Sequence, residues 1–109
     1  MTTSLQPIRT YQVTVRGFPP ALYSARSPAK ARARCYREYC ATFDGVSFRK
    51  FLDMSSVRLA SDPPGIGERI IVGGLPATRV IGYGQYVHYM RDGSDTVLCS
   101  HPLDVEACP

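Results

Sequence analysis

The stretch Ser61-Asp62-Pro63-Pro64-Gly65-Ile66-Gly67 separates two kinds of sequence. Two adjacent prolines hold φ at about −65° and remove two backbone donors, so the run fits neither a helix interior nor a central strand. It reads as a rigid linker or long turn. Before it the chain offers a strand, a turn and helical patterns. After it come only short apolar runs punctuated by glycine. Any fold must join a mixed segment to an all-β one.

In the first segment, "TYQVTVRG" (10–17) alternates polar and apolar residues and is rich in β-branched and aromatic side chains, as a half-buried strand is. "FPP" forces a turn, and "ALYSARS" returns as the second strand of a hairpin. Ser27-Pro28 is a helix start, with serine as cap and proline at the first helical position. This helix is expected to run to about Phe43 and to stop at Asp44-Gly45. A shorter one is expected over "FRKFLDM", capped by Ser47, with Phe48, Phe51 and Leu52 on its apolar face. "SVRLAS" supplies a further strand. In the second segment "ERIIV", "LPATRVIG", "QYVHYM" and "DTVLCSH" read as four strands. Gly73-Gly74 is a hairpin signal between the first two, and Asp92-Gly93 is another.

The fold class expected is α+β: an N-terminal β-hairpin with one long and one short helix, packed on an antiparallel β-meander. A chain of 109 residues reads as one domain over 1–109, with a hairpin and helical part at 10–60, the linker at 61–67 and the meander at 68–103. With 44% hydrophobic residues it can build a modest core unaided by metal or disulfide. No apolar run is long enough for a membrane helix, and the first residues lack the basic-then-apolar pattern of a secretory signal. The expected location is the cytoplasm.

Thiol chemistry is not indicated. Structural zinc uses closely paired cysteines, whereas Cys35, Cys40, Cys99 and Cys108 offer one loose pair. On a helix Cys35 and Cys40 point about 140° apart. They read as small hydrophobes in a reducing compartment, and neither metal nor cofactor is expected. Gly65 and Gly67 precede a strand, so they do not form a phosphate loop at a helix N-terminus. "GYGQYVHY" (82–89) resembles the aromatic strand of RNA-recognition domains. However, Gln85 is inserted between the rings, which puts Tyr83 and Tyr86 on opposite faces of a strand, and the leading cation is missing. His101 with Asp104 hints at catalysis, but no serine stands in a strand–elbow–helix context. The chain is read as a non-enzyme with no catalytic residues.

Charge is the remaining signal. Residues 1–58 carry ten Lys/Arg and three Asp/Glu, a net +7; residues 59–109 carry three and six, a net −3. Such asymmetry marks a partner with an acidic surface, or two halves that attract each other. On the long helix, Ala29, Ala33, Tyr36, Cys40 and Phe43 share a stripe expected to face the core. Lys30, Arg34 and Arg37 form a second stripe beside it, with Arg34 able to reach Glu38 one turn on. Arg32 lies on the opposite flank. With Arg26 before the helix and Arg49 and Lys50 on the next one, these six cations are the candidate surface for nucleic acid or another acidic partner. No second helix carries a set of side chains for reading base edges, so sequence-specific DNA recognition is not expected.

The segments "YSARSPAKARARCYREY", "SFRKFLDMSSVR", "GERIIVGGLPATRVIG" and "SDTVLCSHPLDV" resemble parts of small uncharacterised accessory proteins of phages and prophages of alphaproteobacteria, over about residues 11–105. The resemblance implies a short gene product that acts by binding a host or phage macromolecule stoichiometrically, anti-CRISPR-like inhibitors among them. It implies no active site. The alternative is a structural, assembly or virion component that forms a homo-oligomer through strand edges or apolar contacts.

Overall fold

The computed structural model describes residues 6–108. It has two helices and eight strands in two antiparallel sheets, an α+β fold that begins with a hairpin. The sequence reads as one domain over 1–109; its contacts divide at Ser61/Asp62 into two compact units. That boundary falls in the proline-rich stretch. Among the described residues no helix is long and apolar enough to cross a membrane.

The first unit is built on strands β1 (Arg9–Val15) and β2 (Ala21–Ala25), helices α1 (Pro28–Thr42) and α2 (Phe48–Met54), and strand β3 (Ser55–Leu59). The hairpin turns through Val15–Phe18, closed by Phe18 N–H donating to Val15 O at 2.9 Å. Gly17 has φ +87°, which the third position of a type II turn requires and glycine adopts without penalty. β1 is the central strand, in the order β2-β1-β3, with Tyr11 opposite both Tyr23 and Leu59. Tyr11, Val13, Val15, Tyr23 and Ala25 share one buried cluster with Ala31, Cys35 and Phe51 of the helices. The sheet beneath the helices is therefore the N-terminal one, completed by the strand read from "SVRLAS".

Both helix starts are as expected: the Ser27 and Ser47 hydroxyls each accept the N–H three residues on, at 3.2 Å. The core face of α1 is not as expected. Ala31 and Cys35 are the buried residues, roughly 140° around the helix from the stripe Ala29, Ala33, Tyr36, Cys40 and Phe43. Ala29 and Phe43 are exposed. The physical reason is size: alanine and cysteine let the helix approach the sheet closely, while the larger rings pack sideways. Tyr36 lies against Phe48 and Phe51 of α2, with centroids 5.0 and 5.2 Å apart, and donates its hydroxyl to Val46 O at 2.7 Å. On α2 only Phe51 is buried; Phe48 and Leu52 stay 41% and 37% exposed.

The second unit is a single sheet of β4 (Arg69–Val72), β5 (Leu75–Val80), β6 (Val87–Arg91), β7 (Leu98–Ser100) and β8 (Val105–Ala107). Gly73 and Gly74 both take positive φ, +61° and +79°, as a two-residue type I′ hairpin turn demands. The expected meander ending at 103 runs further. A 3-10 turn at Pro102–Asp104 leads into β8, which pairs with β4, giving the order β7-β6-β5-β4-β8. Across a flat sheet the two edge strands would stand about 19 Å apart, and the short link containing a 3-10 turn cannot span that. The sheet must curl, and Ile70, Val72, Ala77, Val87 and Tyr89, with Val105 against them, fill its concave side.

Candidate functional site

The helix angle decides what each cation of α1 does. Taking the Ala31–Cys35 direction as inward, Arg34 and Arg32 lie roughly 80° to either side, and Lys30 and Arg37 about 120–140° away. The two flanking arginines are half-buried. Arg34 Nη1 donates to Ser24 O on β2 at 2.5 Å, and Arg32 Nη2 donates to Ser55 O on β3 at 3.1 Å. Ala60 N–H donates to Thr10 O and Arg16 N–H to Met54 O, so the even-numbered residues of β1 direct their polar groups toward β3. Thr10 faces Ser24, and Val15 faces Ser55, which leaves the carbonyls of Ser24 and Ser55 pointing outward from the sheet. One helix thus covers both edges of the sheet, each with one guanidinium. Unprotected edges are templates for unwanted pairing, and charged side chains are a common way to block them.

Of the expected stripe, Lys30 and Arg37 are exposed on the outer face of α1, whereas Arg34 turns into the sheet. Glu38, expected to meet Arg34, accepts the Tyr23 hydroxyl at 2.5 Å. Arg26 is half-buried before the helix, with Nη1 donating to Gln6 O at 3.0 Å. Arg49 and Lys50 are exposed in the first turn of α2. The six cations therefore divide into an outward set (Lys30, Arg37, Arg49 and Lys50) and a pair, Arg26 and Arg34, bonded to backbone. Arg32, outside the candidate set, proves to be the counterpart of Arg34. Side-chain bonds to edge carbonyls leave no periodic trace in a sequence; only the placing of Arg32 and Arg34 on either side of the Ala31–Cys35 direction of the helix hints at them.

Beside this face, Val13, Phe18, Tyr23, Cys35, Glu38 and Tyr39 line a groove of about 250 Å³. Phe18, Tyr39 and Phe43 pack on one another with centroids 4.8–5.9 Å apart, so the rings fill one another's space and form no open cage. Burial, then the bond to Glu38, raises the Tyr23 phenol; burial raises the Cys35 thiol as well. A thiol held protonated is a poor nucleophile.

In the second unit the histidine–aspartate spacing has a structural reason. His101 Nδ1 accepts Leu103 N–H at 3.1 Å and so caps the 3-10 turn, while Asp104 N–H donates to His101 O at 2.9 Å. Tyr83 and Tyr86, 74% and 58% exposed, lie in the loop before β6, and Tyr89 is buried. The rings of "GYGQYVHY" consequently form no stacking platform on a strand. A cleft of about 620 Å³ opens among the end of β4 and its glycine turn, β6, β7, the 3-10 turn and β8, lined among others by Tyr89, Arg91, Ser100, Leu103, Asp104 and Glu106. Arg91 stacks over Tyr89 at 5.0 Å and donates to Leu75 O at 2.9 Å. Asp92 takes both Arg69 nitrogens, at 2.6 and 2.8 Å. Among the described residues no three His, Cys, Asp or Glu side chains gather as a metal site, and all four cysteines are free.

No family model matches the chain, and no curated protein or solved structure matches it.

Proposed function

We propose that the chain is a non-enzymatic binding protein of phage origin that engages an acidic partner through the outer face of α1 and the first turn of α2. The partner is nucleic acid or a host defence complex that handles it, in the manner of an anti-CRISPR inhibitor, and the encounter is in the host cytoplasm. One observation carries the reading: Lys30, Arg37, Arg49 and Lys50 remain exposed in a unit of net charge +7. Exposed cations of this kind give salt-dependent, sequence-independent attraction to phosphate. Phage origin rests on the sequence resemblance alone.

The test is fluorescence anisotropy with labelled duplex and single-stranded DNA over a series of salt concentrations. Replacing Lys30 and Arg37 by alanine should weaken binding and lower the slope of log affinity against log salt by about one for each lost contact. Unchanged affinity and slope in that double variant would discard the assigned face. If DNA is not bound, capture of partners from host cells with and without nuclease separates a protein complex from RNA.

A further inference from the structure

We infer that the cleft of the second unit is a docking site for the basic helix face of a second copy of this chain. The proposal rests on the same exposed cations as the functional reading, but adds an acceptor for them. The two units carry opposite net charge, +7 and −3. Within the second unit, Asp92 is engaged by Arg69, and Arg91 is held by Leu75 O and the Tyr89 ring. Asp104 and Glu106 are the carboxylates that line the cleft, and both are exposed. Leu103 stands beside them at 87% exposure, an apolar surface for the stems of long basic side chains.

The matching group on a second copy is the outer face of α1. Arg37 offers a planar guanidinium suited to a carboxylate, and Lys30 lies two turns away, about 10 Å along the axis. The interface joins unlike surfaces, a basic helix face on one copy and an acidic cleft on the other. It is also salt-sensitive, because the charges are at the surface, where screening acts within about 10 Å at 0.1 M salt.

Sedimentation velocity over a concentration series tests this directly. At about 50 mM salt the wild-type mass should rise above the 12.0 kDa monomer with concentration, and at about 500 mM it should return to it. Two charge-reversed proteins, K30E/R37E and D104K/E106K, should each shift the association midpoint at least tenfold upward. Circular dichroism checks that both are folded, as substitutions at exposed positions allow. Mixed together, the two variants should associate again, because the basic helix face of D104K/E106K meets the intact acidic cleft of K30E/R37E and the two reversed faces also complement each other. A wild type that stays monomeric at low salt overturns the proposal. So do charge variants that associate like the wild type, or a mixture that does not pair. D104K/E106K should bind an acidic partner at least as well as the wild type. Absent self-association with intact partner binding therefore removes this inference and leaves the functional reading standing.

Discussion

Replacing Arg34 by alanine should cost stability, whereas replacing Arg37, one turn along the same helix, should not. Arg34 donates to Ser24 O, and Ser24 is 1% exposed, so the carbonyl left behind is poorly placed to find water. A hydrogen bond from a charged donor contributes about 1.5–3 kcal/mol, and the half-exposed guanidinium places this one in the lower part of that range, about 2 kcal/mol. With a urea dependence of about 2 kcal/mol per molar for a small protein, the midpoint falls by about 1 M. Arg37→Ala should stay within about 0.5 kcal/mol of the wild type, as exposed substitutions do. Arg34→Met keeps the apolar stem and removes the donor, so a loss matching that of alanine assigns the effect to the hydrogen bond. The assay is urea unfolding followed by far-ultraviolet circular dichroism for all three variants. An Arg34→Ala midpoint equal to that of Arg37→Ala would refute the edge-covering role and return Arg34 to the surface stripe.

Two further outcomes follow from the packing. A Cβ at Gly82 would overlap the His88 ring, so Gly82→Ala should destabilise by about 1–3 kcal/mol and perturb the His88 resonances; a variant as stable as the wild type in thermal melts would contradict this. The second concerns alkali. Tyr23 and Cys35 are both raised above their ordinary values, so the folded state holds their protons more tightly than the unfolded one. Their contribution is complete below the ordinary thiol and phenol range, about pH 8.5–10, and is lost from there upward as pH rises toward the raised folded-state values. Stability should decline with rising pH there, and Tyr23→Phe should flatten the decline; a flat wild-type profile between pH 8 and about 11 would exclude the effect.

Local chemistry was legible in the sequence; side-chain direction was not. Ser27, Ser47 and Gly73-Gly74 announced their cap and turn roles because each follows from the geometry of one or two residues. The core face of α1 escaped because apolar residues flank two targets. Tyr36 and Tyr39 serve the contact with α2, and Ala31 and Cys35 the contact with the sheet, so the richest apolar stripe is not the buried one. The strand at Val105–Ala107 is too short to show any alternation, and its partner β4 is distant in sequence. As for the candidate site, the cations were visible as charges. What Arg34 and Arg32 do depends on carbonyls of strands on either side, which no spacing within the helix reveals.

The two sheets also carry an order of assembly. Most of their pairings join neighbours in the chain: β1 with β2, β4 with β5, β5 with β6, and β6 with β7. Two do not, β1 with β3 and β4 with β8, and each completes its sheet by closing a long loop. Loop closure costs chain entropy before any contact rewards it. The hairpins can thus form early and independently, and each unit waits on one late strand. Both late strands lie at a sheet edge, and hydrogen exchange in β3 and β8 compared with the other edge strands, β2 and β7, reports whether each unit opens first where it closed last.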